Sequence, residues 1–184
     1  MIDLQAKFNR KMRVLEDPQN YIDPSQSNFV NFLQIKSNPE NIMNENVRSA
    51  FFKQVGKEPF AQKFGIRLLE INDGYSKVEM NFTPDMENIL GMAHGGAIFA
   101  LIDEAFETAS NSHGTIAVAL NMNITYVSSP PSGSILIAEA REFSRTQKTA
   151  SYDIKVVDEQ NNLVASCQAL VYRKGNPLPF LKEE

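Results

Sequence analysis

The arrangement of apolar and polar residues predicts six strands and one long helix after residue 64. In residues 75–82, the apolar Val78, Met80 and Phe82 alternate with polar neighbours, which is typical of a strand with one buried face. The Asp73-Gly74 pair in front of it predicts a tight hairpin turn. Similar strand patterns occupy residues 65–72, 118–126, 134–143, 149–158 and 163–174. In the third strand, we expect one face to consist of Val118, Leu120, Met122, Ile124 and Tyr126.

The period changes to three and four between residues 95 and 112, which predicts a helix. We expect Glu104, Glu107 and Asn111 to mark its solvent face. One helix does not cover both faces of a flat six-stranded antiparallel sheet, but a curved sheet can wrap around it. The sequence therefore predicts an α+β domain with a curved antiparallel β-sheet around one central α-helix. The apolar stripe of that helix consists of Ile98, Leu101, Ile102, Ala105, Phe106 and Ala109.

Residues 1–46 differ from the rest of the chain, because they are polar and contain Pro and Asn between a few apolar positions. We interpret them as an N-terminal helical extension that does not fold alone. Residues 47–64 predict helical turns interrupted near Pro59. The expected organisation is an extension at 1–46, one domain at 47–176 and a C-terminal tail at 177–184.

Composition excludes some classes of partner. The net charge of -4 argues against a nucleic-acid-binding protein, which would usually be basic. No apolar run resembles a signal-peptide core or a membrane span, so no membrane partner is expected. The single cysteine, Cys167, fits a reducing cytoplasm and is expected to be a small buried strand residue.

Candidate chemistry lies at the start of the long helix. The first N–H groups of a helix have no partner within it, and glycine lets another molecule approach the backbone closely. His94-Gly95-Gly96 can therefore bind an anion or an oxygen that becomes anionic. Further along, Asp103 lies beside the apolar stripe, and residues 86–140 contain no Lys or Arg to pair with it. A half-buried carboxylate without a partner is costly, which favours a functional role.

The spacing of these residues predicts an oligomer. Gly95 and Asp103 are eight residues apart, so they lie about 12 Å apart along a helix. If both act on one carbonyl group, they must come from two protomers with antiparallel helices side by side. A two-fold dimer with two equivalent sites follows.

The pattern N-x5-HGG-x6-D, formed by Asn88, His94-Gly95-Gly96 and Asp103, resembles the hotdog-fold acyl-CoA thioesterases. The similarity is greatest to the phenylacetate-pathway branch and spans about residues 55 to 174. The resemblance implies that Asp103 attacks the thioester or activates a water molecule. It implies that the Gly95 N–H of the opposite protomer polarises the carbonyl, that Asn88 assists there, and that His94 shapes the loop near the sulfur. A homodimer that pairs into a dimer of dimers is the expected assembly.

The same resemblance points to residues that contact the substrate. Gly96 belongs to the helix start, and Phe99 and Phe106 would line a slot for the acyl group. Arg145 and Lys148 flank a turn and could hold CoA phosphates. Some relatives carry Ser or Thr where this chain has Ala119, and Asn121 would point the same way along a regular strand. Thr115 is another candidate for the missing hydroxyl.

Two alternatives remain open. A non-catalytic acyl-CoA sensor would carry a DNA-binding segment, but residues 1–48 have no net charge and Asp103 is present. A hotdog dehydratase or hydratase would place its Asp and His differently. No cofactor is expected, since CoA is part of the substrate. No metal site is expected either, because His94 and His113 lack the spacing of metal ligands.

Overall fold

A computed structural model describes residues 43–181 of the 184-residue chain. Most of the expected helical extension and the last three residues therefore lie outside the described part. Two helices precede the sheet, α1 (Glu45–Val55) and α2 (Pro59–Phe64), with Pro59 opening the second. The remaining elements are β1 (Arg67–Asn72), β2 (Tyr75–Asn81), α3 (Gly95–Asn111), β3 (Thr115–Tyr126), β4 (Ile135–Arg145), β5 (Thr149–Asp158) and β6 (Leu163–Pro177), with 3-10 turns at Pro84–Met86 and Pro179–Leu181.

The six strands form one antiparallel sheet in the order β1-β2-β4-β5-β6-β3. Helix α3 contacts all six strands, so the sheet bends around it as the sequence predicts. The predicted hairpin at Asp73-Gly74 joins β1 to β2, and Gly74 has a φ of 69°, a conformation that favours glycine. The sheet has two edges, and β3 forms one of them.

The core confirms the predicted stripes. Every residue of the α3 stripe is buried, and so are the inward residues of β2 and β5. Phe106 of α3 meets Tyr152 of β5 edge to face, with ring centroids 5.4 Å apart. Cys167 is buried on β6 as expected. None of the helices within residues 43–181 is long and apolar enough to cross a membrane.

The expectation of a single apolar face on β3 is wrong, because the strand contains a β-bulge. Ala119 is opposite Val171 of β6, whereas Asn121 is opposite Leu170, so Leu120 has no partner. Paired residues share a face, which places Ala119 on the inward face with the buried Val171. Asn121 lies on the outward face with Leu170, and so it does not point the same way as Ala119.

The expected solvent face of α3 is also partly wrong. Glu104 and Asn111 are buried, with 3% and 8% of their surface exposed, and only Glu107 is exposed as expected. The Asn111 amide is held by Ala117, whose N–H donates to its Oδ1 at 2.8 Å. Side chains of the short helices and the C-terminal turn approach this side of α3. Phe51 of α1 packs against Phe180 at 5.3 Å, and both rings border a cavity beside α3.

Candidate active site

The backbone at the start of α3 leaves one amide unused. His94 precedes the helix, and its Nδ1 atom accepts a hydrogen bond from the Gly96 N–H at 2.9 Å. The His94 carbonyl accepts from Ala97 at 2.9 Å and from Ile98 at 3.3 Å. The Gly95 N–H has no acceptor within the described residues. It is therefore the amide that can donate to a substrate oxygen, whereas the Gly96 N–H is occupied by His94.

Asn88 organises the loop that leads to this helix. Its Oδ1 atom accepts from the N–H groups of Leu90 at 2.8 Å and Met92 at 3.2 Å. Its own N–H donates to the Met92 carbonyl at 2.8 Å. Because the side-chain oxygen is used within the loop, the Nδ2 group is the part of Asn88 that can donate to a substrate.

Two residues that the sequence analysis did not single out secure the same loop. The Ser129 hydroxyl accepts from the Ala93 N–H at 3.0 Å, and the Tyr126 hydroxyl donates to the Gly95 carbonyl at 3.2 Å. Both lie in the stretch NMNITYVSSP at residues 121–130. Their roles were missed because a sequence motif does not reveal contacts between residues that are 31 or 36 positions apart in the chain.

Asp103 lines a cavity of about 530 Å³ between α3, the beginning of β3, α1 and the C-terminal turn. Its side chain is half-buried, and desolvation raises the pKa of the carboxyl group above its usual value. No hydrogen bond or ion pair of its side chain is found among residues 43–181. Phe106 and Ala119 line the same cavity, so a hydroxyl group at position 119 would border the cavity that contains Asp103.

The other predicted residues lie outside this cavity in the described chain. The α3 residues that line the cavity begin at Asp103. In contrast, His94 and Gly95 lie at the start of the helix, and Asn88 lies in the loop before it. Phe99, in the first turns of the helix, is 38% exposed. Asn121 is exposed on the outward face of β3, and Thr115 at the start of β3 does not line the cavity. Of the two predicted slot residues, the structure brings only Phe106 to Asp103.

The predicted phosphate-binding residues are also apart from the cavity. Arg145 Nε forms an ion pair with Glu142 Oε1 at 2.9 Å, so its charge is partly compensated. The Lys148 ammonium group lies 5.8 Å from the centroid of the Tyr172 ring. Lys148 is thus the more available of the two cations for an anion.

Three glutamates to which the sequence analysis gave no functional role also line the cavity: Glu58, Glu104 and Glu107. Desolvation, followed by the charge of Glu58, raises the pKa of Glu104 to about 8. Desolvation and the charges of Glu58 and Asp103 raise the pKa of Glu107 to about 7. This side of Asp103 therefore carries several carboxyl groups in a poorly solvated environment.

A curved antiparallel sheet wrapped around one central helix is the hotdog architecture. Residues 90–165 match the thioesterase superfamily, and two curated relatives match along most of their own length. The chain belongs to the thioesterase superfamily.

The similar proteins are consistent with this assignment. An Archaeoglobus fulgidus protein, provisionally named an esterase, is 42% identical over 61% of this chain and 73% of its own length. The acyl-coenzyme A thioesterase PaaI of Escherichia coli is 33% identical over 64% of this chain and 84% of its own. A solved structure of E. coli PaaI superposes with a TM-score of 0.70, covering 73% of this chain and 98% of that chain.

A Streptococcus mutans protein that was solved with acetyl-CoA bound is 26% identical. It superposes with a TM-score of 0.59 over 61% of this chain and 91% of that chain.

Proposed function

We propose that this protein is an acyl-CoA thioesterase that hydrolyses an acyl- or aryl-acyl-CoA to the free acid and CoA. The observation that carries the proposal is Asp103, a half-buried carboxylate without a partner in the described residues, which faces a cavity large enough for an acyl group. The relatives support the choice of substrate, since one is named an acyl-CoA thioesterase and another was solved with acetyl-CoA.

The chemistry requires one nucleophile or base and a site for a developing oxyanion. Asp103 either attacks the thioester carbonyl carbon or takes a proton from a water molecule that attacks it. In both cases the carbonyl oxygen gains negative charge, which the Gly95 N–H and the Asn88 Nδ2 group stabilise by hydrogen bonds. The C–S bond then breaks, and the thiolate of CoA leaves readily without a strong general acid. Where Asp103 is the nucleophile, water then hydrolyses the acyl-Asp103 anhydride, which releases the free acid and restores the carboxylate.

Each active site combines two protomers in this proposal. Along α3, Gly95 and Asp103 are about 12 Å apart, too far for one carbonyl to contact both. Two observations support pairing through the β3 edge: the strand has an unpaired side, and its Val118 and Leu120 are 37% and 57% exposed. The exposed Leu90, Met92 and Phe99 near the start of α3 would be covered in the same dimer, with Phe99 then reaching the partner's acyl slot.

The remaining assignments stay predictions of the sequence. Lys148 is the better of the two candidate phosphate ligands, because Arg145 is paired with Glu142. Pairing of two dimers into a tetramer and a cytoplasmic location follow from the family resemblance and from the single cysteine. Residues 1–46 remain a predicted extension that either caps the acyl slot or enlarges the dimer interface.

The test is free-thiol release from short, long and aryl acyl-CoAs by the native chain and by Asp103→Asn. We expect release to fall at least about a hundredfold in the variant, as for the loss of a nucleophile or base. Asp153→Asn, an exposed β5 residue outside the cavity, is the matched control and should keep native rates. Acyl-CoA binding without thiol release from any substrate would instead identify a sensor.

A further inference from the structure

The acidic wall of the cavity has a geometry that the thioesterase chemistry does not explain. Glu104 and Glu107 lie three residues apart on α3, so they share one side of the helix. Glu58 precedes α2, and its side chain does not cap that helix. The three residues each place a carboxylate oxygen within 4.8 Å of the other two. Three carboxyl groups converge here, whereas the thioesterase chemistry needs only one.

Glu104 provides an independent indication of a missing partner. Only 3% of its surface is exposed, and its Oε1 atom is buried without a hydrogen-bond partner. Buried polar atoms are nearly always paired, and a buried unpaired carboxylate is far more costly than a hydroxyl. Within residues 43–181, no Lys, Arg or His forms an ion pair with any of the three glutamates.

We propose that Glu58, Glu104 and Glu107 together bind a hard divalent cation, of the size of Ca²⁺ or Mn²⁺, in the wall of the cavity. Carboxylate oxygens are the ligands that such ions prefer. Calcium–oxygen distances are about 2.4 Å, so two ligand oxygens of one ion lie at most about 4.8 Å apart. The three oxygens lie within this limit of one another, which is compatible with one shared ion.

The cavity supplies what the three carboxylates lack. Three ligands leave coordination positions open, and the space beside them has room for water molecules that complete the sphere. The cation compensates the mutual repulsion of the glutamates and pairs the buried Oε1 atom of Glu104. The sequence analysis did not anticipate this site, because it considered only histidine spacing and the ligands come from two elements that are 46 residues apart.

The proposal is tested by Mn²⁺ binding to the full chain after removal of metals with EDTA and dialysis. Free Mn²⁺ is measured by electron paramagnetic resonance during a titration. We expect one bound ion per chain, displaced by Ca²⁺. Glu104→Gln and Glu107→Gln should each weaken binding at least about tenfold, since loss even of outer contacts to a metal has that effect. Glu45→Gln, an exposed residue at the start of α1, is the matched control and should bind like the native chain.

Thermal melting separates loss of the site from loss of the fold. In EDTA, Glu104→Gln should melt at or above the native temperature, because the variant removes an unpaired buried carboxylate. Added Ca²⁺ should raise the melting temperature of the native chain and not that of Glu104→Gln. Absence of Mn²⁺ binding at millimolar concentration, or equal binding by Glu104→Gln, would overturn the proposal. No thioester is used, so the result is independent of the proposed enzyme activity.

Discussion

The Tyr126 hydroxyl donates a hydrogen bond to the carbonyl oxygen of Gly95 at 3.2 Å, which fastens the end of β3 to the first turn of α3. The ring lies so close that a Cβ atom on Gly95 would be 3.3 Å from its Cζ atom. A side chain on Gly95 would therefore crowd the Tyr126 ring. The hydrogen bond holds the Gly95–Gly96 peptide group, which is adjacent to the amide that is proposed to bind the thioester oxygen.

We predict that Gly95→Ala lowers kcat/KM for thiol release by roughly tenfold or more, a fraction of the effect of losing an oxyanion-hole donor. The added methyl group pushes against the Tyr126 ring and shifts the amide. The melting temperature should not fall, because alanine favours a helix by up to about 1 kcal/mol over glycine. Thiol-release kinetics and thermal melting measure the two effects.

The double variant Gly95→Ala/Tyr126→Ala identifies the cause. If the ring contact displaces the amide, removal of the ring should restore part of the lost activity. A fully active Gly95→Ala variant would show that the position of this amide is unimportant for catalysis.

A second prediction concerns whether Asp103 and Gly95 of one active site come from different protomers. Asp103→Asn and Gly95→Val should each be nearly inactive alone, because each removes one half. After the two variants are unfolded, mixed and refolded together, half of the dimers contain one chain of each type. One site in such a dimer carries both substitutions and the other carries neither, so about a quarter of the native activity should return.

The native chain refolded in the same way is the control for that experiment. Activity that stays at the sum of the separate variants would mean that Asp103 and Gly95 act within one protomer or that chains do not exchange. Mixed dimers can be isolated with two different affinity tags, which shows directly that the chains have exchanged. Under the proposal, these mixed dimers should be half as active as the native dimer.

The bulge in β3 shows where pattern reasoning stops. Alternation along a strand predicts which residues share a face only while each residue has one partner across the ladder. The side chains of Val118, Leu120 and Met122 alternate regularly in the sequence, and nothing in their types marks Leu120 as unpaired. The helix and the other strands were predicted correctly because their faces are defined by many apolar residues at once. A single extra residue leaves no such pattern.

The burial of Glu104 was missed for a different reason. A glutamate opposite an apolar stripe is usually exposed, and the sequence contains no cue that distant segments approach this side of α3. Glu58, which precedes α2, and Phe180, which follows the last strand, come from opposite ends of the described chain. The family pattern identified Asp103 because it is local, whereas the acidic cluster depends on tertiary contacts.

A third prediction follows from the inward position of Ala119. Its side chain borders the cavity that contains Asp103, so a hydroxyl there could hold the attacking water molecule. We expect Ala119→Thr to raise kcat by a fewfold up to about a hundredfold, the range of one positioned hydrogen bond. Asn121→Thr, on the outward face beyond the bulge, is the matched control and should leave kcat unchanged. If Ala119→Thr has native kcat, the attacking water is not held from this strand.

The fourth prediction concerns the pH dependence of stability near the C-terminal end of α3. There, Glu142 of β4 contacts the side chains of His113, Tyr152 and Arg145. Its Oε2 atom accepts from the Tyr152 hydroxyl at 2.7 Å and lies 3.0 Å from His113 Nε2. Its Oε1 atom is paired with Arg145 at 2.9 Å. Desolvation opposes ionisation, but the hydrogen bonds and charges of these partners outweigh it and lower the pKa of Glu142.

Because the pKa of Glu142 is lower in the folded chain than in the unfolded one, ionised Glu142 stabilises the fold. This contribution is complete above the unfolded value near 4.5 and is lost as the pH falls through the lower folded value. We expect Glu142→Gln to reduce the free energy of unfolding by about 1–3 kcal/mol at pH 7, the range for a buried hydrogen bond to a charged group. The difference from the native chain should shrink steadily below pH 4.5.

Urea unfolding at several pH values between 3 and 7 measures that difference. Glu87→Gln, an exposed acid in the loop before α3, is the control and should change stability little at any pH. A Glu142→Gln penalty that is the same at pH 3.5 and pH 7 would contradict the role of the charge. Such a result would assign the effect to side-chain packing, which is insensitive to pH. The ion pair with Arg145, in contrast, requires the ionised carboxylate.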